Sequence, residues 1–69
     1  MKISARNQIK GKVEKIEDGA VNGIVTIDIG GGQKVVSSIT MSSIKSLGLK
    51  PGSEVYAVIK ASSVMIAVD

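Results

Sequence analysis

The sequence has 69 residues, enough for one small domain. A chain of this size buries only about 60% of the surface that its unfolded form exposes, so its core is thin. Disulfides and structural metals often supply the missing stability, but the sequence contains no Cys and no His. The same composition excludes zinc and haem sites, thiol redox chemistry, and Ser-His or Cys-His catalysis. Self-association remains, and a formal net charge of +3 favours anions as ligands.

The sequence also predicts where the chain resides. No apolar run approaches the ~20 residues that a membrane-spanning helix needs. The first residues lack the extended apolar segment of a secretory signal. We therefore expect a single domain over residues 1–69, located in the cytoplasm and without membrane contact.

The first predicted elements are three strands. Apolar and charged residues alternate from Ile9 towards Ile16, which is typical of a half-buried strand. A turn at residues 17–19 precedes a second strand over residues 24–29, and three glycines at 30–32 end it. The third strand runs from about Gln33 to Thr40.

The only helical candidate follows the third strand. Thr40 is suited to be its N-cap, Ile44 and Leu47 fall on one face, and Gly48 suits a left-handed residue at its end. Two further strands are predicted at Val55–Lys60 and Val64–Val68. The element order predicts an all-β fold, a five-stranded OB-type barrel with one short helix between strands 3 and 4.

Some apolar residues exceed what one barrel interior can hold. Ile24, Val36 and Val58 alternate out of phase with the inward-facing residues of their strands. On a monomer they would form an exposed apolar patch. We therefore expect a homo-oligomer.

The residues do not indicate catalysis. Six acidic residues are scattered over turns and strands without forming an acid/base pair: Glu14, Glu17, Asp18, Asp28, Glu54 and Asp69. The Gly30–Lys34 segment resembles a phosphate-binding loop only superficially, because a strand follows its Lys where such a loop requires a helix. A hairpin loop explains these glycines. The protein is predicted not to be an enzyme.

Binding of single-stranded nucleic acid is an alternative, since OB-type barrels often have this function. Such sites stack bases on aromatic side chains beside a basic groove. The sequence offers one aromatic residue, Tyr56, and basic residues Lys10, Lys12 and Lys15 that could contact phosphates. Charged residues on a solvated strand edge explain these lysines equally well.

Three segments combine hydrogen-bond donors with an absence of carboxylates. They are Ser4–Asn7, Thr40–Ser43 and Lys60–Ser63. A tetrahedral dianion presents only acceptors, so its site needs N–H and O–H donors and positive charge. Each segment alone has a structural explanation as a turn, a cap or a strand end. Together they favour binding of a small oxyanion.

The same segments resemble a known family. SARNQ at residues 4–8, GKV at 11–13, GAVN at 19–22, IT at 39–40 and KASSV at 60–64 occur in the order found in molbindins. These are free-standing, molybdate-binding domains of the Mop type, and the similarity is close to the clostridial type. It covers nearly the whole chain.

The resemblance implies an OB-type fold that assembles as a homo-hexamer, a trimer of dimers, with molybdate or tungstate at sites between subunits. It implies that Ser4 and Arg6 help to form one wall of a site between subunits. Thr40 and Ser43 at the helix start, with Lys60 and Ala61, would complete that site from the neighbouring chain. The oxyanion-binding residues it indicates are Ser4, Arg6, Asn7, Thr40, Ser43, Lys60, Ala61 and Ser62. A second kind of site is assigned more weakly to Gly19, Ala20, Val21 and Asn22. No side chain is expected to ligate a metal directly, and no organic cofactor is expected.

Three interpretations therefore stand. The first is an intracellular molybdate-binding protein for storage or homeostasis. The second is an OB-type module for single-stranded nucleic acid, and the third is an assembly module whose polar segments are only caps and turns.

Overall fold

The computed structural model describes residues 1–69. The elements, in chain order, are strands β1 (Asn7–Glu17), β2 (Asn22–Gly30) and β3 (Gln33–Thr40), helix α1 (Met41–Ser46), strand β4 (Glu54–Ile59) and a 3₁₀ turn (Ala61–Ser63). The strands form one antiparallel sheet in the order β3-β2-β1-β4. The all-β class and the short helix between strands 3 and 4 are confirmed. At six residues, α1 falls far short of the length required to cross a bilayer.

Strand β1 organises the sheet because it pairs with two neighbours over different halves of its length. Residues Asn7–Lys12 pair with β4, whereas Lys12–Glu17 pair with β2. The register with β2 shifts between Val13 and Lys15, and an irregularity of this kind bends a strand. The sheet therefore curls around a small core of five apolar residues: Val13, Val25, Ile27, Ile44 and Ala57.

Helix α1 begins where the sequence predicts, and one of its two predicted core residues is buried. Thr40 is its N-cap, with the hydroxyl oxygen accepting a hydrogen bond from Ser43 N, and Ile44 is buried. A Cβ placed on Gly23 of β2 would lie 2.6 Å from Ile44 Cδ1, so the helix packs directly on the strand backbone. Gly48 has a φ of 63°, as expected for the end of a helix. Leu47, expected on the buried face, is instead 67% exposed.

The predicted fifth strand at Val64–Val68 is absent. Residues 64–69 form no regular structure, and Met65, Ile66 and Val68 are 93%, 86% and 92% exposed. The segment has the composition of a strand, but a strand also requires a neighbouring edge with which to pair. The sheet therefore has four strands, and its outer strands β3 and β4 do not close a barrel within this chain.

Apolar side chains are exposed on β3 and β4, as the alternation indicates. Val36 is 66% exposed and Val58 is 39% exposed, while Ile24 is half-buried. Only seven of the 69 residues are buried, so the core of the single chain is thin for its apolar content.

Candidate functional site

Two of the donor-rich segments meet at one end of the sheet. Asn7, the first residue of β1, lies opposite Ile59, the last residue of β4. The Asn7 side chain joins the two strands, because its Nδ2 donates a hydrogen bond to the Ile59 carbonyl oxygen at 3.1 Å. Arg6 immediately precedes Asn7 and Lys60 immediately follows Ile59, so both cations leave the sheet at this end. We call Ser4–Asn7 together with Lys60–Ser62 the basic end.

The basic end presents donors without competing carboxylates. Ser4, Arg6, Lys60 and Ser62 are all exposed. The one ion pair of the chain joins Lys34 to Glu14, so neither Arg6 nor Lys60 is neutralised by a carboxylate of its own chain. No acidic residue lies within either segment. Positive charge and free donors at one place suit an anion that carries no proton.

Backbone amides add to the donors of the basic end. The 3₁₀ turn at Ala61–Ser63 closes with hydrogen bonds from Ser63 N to Lys60 O at 2.9 Å and from Val64 N to Ala61 O at 3.4 Å. The N–H groups of Ala61 and Ser62, at the start of the turn, take no part in these bonds. The role of Ala61, whose side chain offers no donor, would therefore be through its amide.

The remaining candidate residues meet elsewhere. Asn22 lies opposite Thr40 in the pairing of β2 with β3, and Met41 N donates to Val21 O at 2.8 Å. This contact joins the turn before β2 to the first residues of α1. We call Gly19–Asn22 together with Thr40–Ser43 the helix-start region.

The helix-start region uses much of its hydrogen-bonding capacity internally. The Thr40 hydroxyl accepts from Ser43 N at 3.0 Å and donates to Ser43 Oγ at 2.9 Å. Only the Ser43 hydroxyl proton is left to donate from this pair. Glu17 and Asp18 immediately precede Gly19, so negative charge also lies beside this region. It is electrostatically less favourable for an anion than the basic end.

The two regions lie at opposite ends of β1. The strand is 11 residues long, and the ten steps from Asn7 to Glu17 span roughly 33 Å along it at about 3.3 Å each. The eight residues indicated by the sequence therefore form two groups within one chain. Sequence reasoning did not identify the clamping role of Asn7, which depends on a contact between residues 52 positions apart.

The comparison with known families decides the class of this fold. Residues 3–66 match the model of the TOBE domain. The chain belongs to the TOBE domain family. Its strands, short helix and basic end all lie within the matched residues.

Relatives of this TOBE domain include a probable molybdenum-pterin-binding protein of Haemophilus influenzae, which is 58% identical over 69 residues and is matched over 100% of both chains. MopII from Clostridium pasteurianum superimposes with a TM-score of 0.91 at 46% identity, covering 97% of this chain and 100% of that one. ModG, a cytoplasmic molybdate-binding protein whose structure has molybdate bound, superimposes with a TM-score of 0.90 at 48% identity. That match covers 94% of this chain and 46% of ModG. The resemblance to Mop-type molbindins is thereby confirmed.

Proposed function

We propose that this TOBE domain binds molybdate, or tungstate, for storage or homeostasis of the oxyanion. The observation that carries the proposal is the basic end, where Arg6 and Lys60 emerge together without a carboxylate. ModG, which has a similar fold, has molybdate bound. The relatives are named as binding proteins, which supports a binding role rather than catalysis.

The chemistry of the basic end favours this class of anion. Molybdate is a tetrahedral dianion without a proton at neutral pH, so all of its oxygens accept hydrogen bonds. Phosphate retains a proton under the same conditions and needs an acceptor for it. A site with hydroxyl, amide, guanidinium and ammonium donors, and no carboxylate, therefore favours molybdate over phosphate.

We place the oxyanion between subunits of a homo-hexamer, built as a trimer of dimers. The basic end and the helix-start region lie at opposite ends of the 11-residue strand β1, which supports a site that takes Arg6 from one chain and Thr40 from another. The exposed Val36 and Val58 provide apolar surface for association. A ligand that binds only the assembled protein would stabilise the assembly by mass action.

The weaker part of the proposal is the second site at Gly19–Asn22. Its donors would be backbone amides and the Asn22 side chain, in a turn where the residues are exposed. Glu17 and Asp18 oppose an anion there, so we expect this site to bind more weakly than the first. We also place the protein in the cytoplasm, the compartment given for ModG.

Isothermal titration tests the proposal, with molybdate, tungstate, sulfate and a short single-stranded oligonucleotide in matched buffers. We expect heat with molybdate and tungstate, and a higher thermal midpoint in their presence. Heat only with the oligonucleotide, weakening steeply as salt increases, would instead support nucleic-acid binding. Absence of heat and of any midpoint shift at saturating molybdate would contradict oxyanion binding and leave the assembly module.

A further inference from the structure

The sequence contains two asparagines, Asn7 and Asn22, and the residue that follows each of them differs. Gln8 follows Asn7, and its side chain hinders any attack by the Gln8 backbone nitrogen on the Asn7 side chain. Gly23 follows Asn22, and a glycine nitrogen is unhindered because glycine has no Cβ. An asparagine followed by glycine is the pair that most readily loses its side-chain amide through a cyclic imide.

The Asn22 side chain is free to react. It is exposed and takes part in no hydrogen bond within the chain, whereas Asn7 Nδ2 is held by the Ile59 carbonyl oxygen at 3.1 Å. Asn22 is also the first residue of β2, and the ends of strands open at a lower free energy than their centres. The reactive pair therefore lies where the sheet opens most easily.

The packing of helix α1 requires the glycine of this pair. A Cβ on Gly23 would lie 2.6 Å from Ile44 Cδ1 and 2.9 Å from Met41 Sδ, so a larger residue would push the helix away from β2. A residue that slows the attack on Asn22 is therefore incompatible with this helix position. Close packing keeps an unhindered backbone nitrogen next to an exposed asparagine.

Pairing of β2 with β3 controls whether the Gly23 nitrogen can attack. Met41 N donates to Val21 O, and hydrogen-bonded pairs alternate along an antiparallel ladder. Gly23 lies opposite Ile39, so these two residues form the next hydrogen-bonded pair, with Gly23 N–H donating to Ile39 O. Attack on Asn22 requires this bond to break and the start of β2 to leave its extended conformation.

We propose that Asn22 is a site of spontaneous deamidation and that opening of the β2–β3 ladder at Gly23 controls its rate. Gly23 N attacks Asn22 Cγ, and the new N–C bond closes a succinimide ring. The side-chain amide group takes up the Gly23 N–H proton and leaves as ammonia. Water then adds to one of the two imide carbonyls and opens the ring. The product is aspartate, or isoaspartate in which the main chain runs through Cγ, and water is the only other reactant.

Either product places a carboxylate in the helix-start region. Glu17 and Asp18 already lie beside this region, and Asn22 lies opposite Thr40. Added negative charge opposes the binding of an oxyanion there. Isoaspartate also lengthens the main chain, which disturbs the register of β2 with β3. The modification therefore weakens oxyanion binding as the protein ages. This consequence rests on the proposed function, whereas the chemical step does not.

Peptide mapping tests the chemical step on the full chain, incubated without oxyanion in mildly alkaline buffer. We expect aspartate and isoaspartate at Asn22 and an intact amide at Asn7. The chain unfolded in urea should react at Asn22 at least about tenfold faster, because the ladder no longer holds Gly23 N. Asn22→Gln is the matched control. It keeps a side-chain amide but must close a larger ring, so we expect no product at this position, and its thermal midpoint checks that the fold is retained.

The contrary outcomes of this experiment are distinct. Conversion of Asn22 no faster than that of Asn7 in the folded chain would overturn the assignment of the site. Equal rates at Asn22 in the folded and the unfolded chain would overturn control by the ladder. Both rates are measured without molybdate, so they do not depend on oxyanion binding.

Isothermal titration with molybdate tests the consequence for binding. Asn22→Asp supplies the carboxylate directly, and Asn22→Gln keeps the position neutral. We expect Asn22→Asp to bind molybdate at least about threefold more weakly than Asn22→Gln. Equal affinities of the two variants would overturn the effect of the modification on binding. Absence of binding by the unaltered protein would instead contradict the proposed function, and the peptide maps would still decide whether Asn22 deamidates.

Discussion

The basic end and the helix-start region contain similar residues, but they differ in how many of their hydrogen-bond donors are already bonded within the chain. Both combine hydroxyl groups with backbone amides at the end of a strand. At the helix-start region, Thr40 and Ser43 satisfy each other and Met41 N is bonded to Val21. At the basic end Asn7 Nδ2 is the only side-chain donor of the region in a hydrogen bond, and Arg6 and Lys60 have no carboxylate partner.

The difference shows that residue type alone does not identify an anion site. The Thr40 hydroxyl accepts a hydrogen bond as the helix cap and donates its proton to Ser43 Oγ, so it contributes less to a ligand. A cation without a carboxylate partner retains its full attraction for an anion. We therefore expect substitutions at the basic end to change affinity, and substitutions at the helix-start region to change mainly stability.

The largest expected effect is that of Lys60→Ala on molybdate affinity. Loss of a charge-assisted hydrogen bond costs roughly 1.5–3 kcal/mol, which corresponds to about a 10- to 150-fold weaker Kd. Lys50→Ala is the control, since Lys50 is an exposed lysine outside both regions. Isothermal titration of the two variants and the unaltered protein measures the difference. Equal affinities for Lys60→Ala and Lys50→Ala would remove Lys60 from the site and reduce the contrast between the regions.

Next in size is the effect of Gly23→Ala on stability. The added methyl would lie 2.6 Å from Ile44 Cδ1 and 2.9 Å from Met41 Sδ, so α1 must shift away from β2. Overpacking of this kind costs about 1–3 kcal/mol. Thermal unfolding at fixed protein concentration measures it, and because Gly23 does not have a positive φ, the loss reports crowding rather than backbone strain. An unchanged midpoint for Gly23→Ala would contradict close packing of the helix on the strand.

Thr40→Ala should lower stability by about 1 kcal/mol through loss of the N-cap, a midpoint shift of roughly 4–8 °C for a domain of this size. Thr40→Asn and Thr40→Asp retain capping ability, so both should restore the midpoint. The Asp variant adds a carboxylate. If Thr40 faces the oxyanion in the assembled protein, Thr40→Asp should bind molybdate more weakly than Thr40→Asn. Equal affinities of these two variants would confine Thr40 to its role as a cap.

Local features of the fold were predictable from the sequence, whereas long-range pairing was not. The alternation in β3 and the Thr40 cap depend on neighbouring residues, and both are where the sequence predicts them. Val64–Val68 has the same alternating, β-branched composition as a strand, yet nothing in its own chain pairs with it. The residue pattern indicates that a segment can form a strand, whereas the strand with which it pairs depends on the rest of the sheet.

The candidate site follows the same rule. The donor segments were identifiable because hydroxyls and cations without nearby acids are visible in the sequence. Their grouping was not, because it depends on the register that sets Asn7 against Ile59 and Asn22 against Thr40. Register between distant strands follows from packing of the whole sheet.

The smallest expected effect on stability comes from the Lys34–Glu14 ion pair, which lies outside both regions and serves as a reference for them. Lys34 is bonded to Glu14, and this hydrogen bond, supported by attraction to Glu14 and Asp28, raises the pKa of Lys34 above its ordinary value of 10.5. A raised pKa means that the ion pair stabilises the fold fully below pH 10.5 and that this contribution is lost as the pH rises through the raised pKa. Lys34→Met should therefore lower the thermal midpoint slightly at pH 8, with the difference closing in strong alkali and at high salt. Lys15→Met removes a lysine that has no ion pair, so it should show no such pH-dependent difference. If the thermal midpoint depends on pH in the same way for both variants, the ion pair contributes nothing to stability.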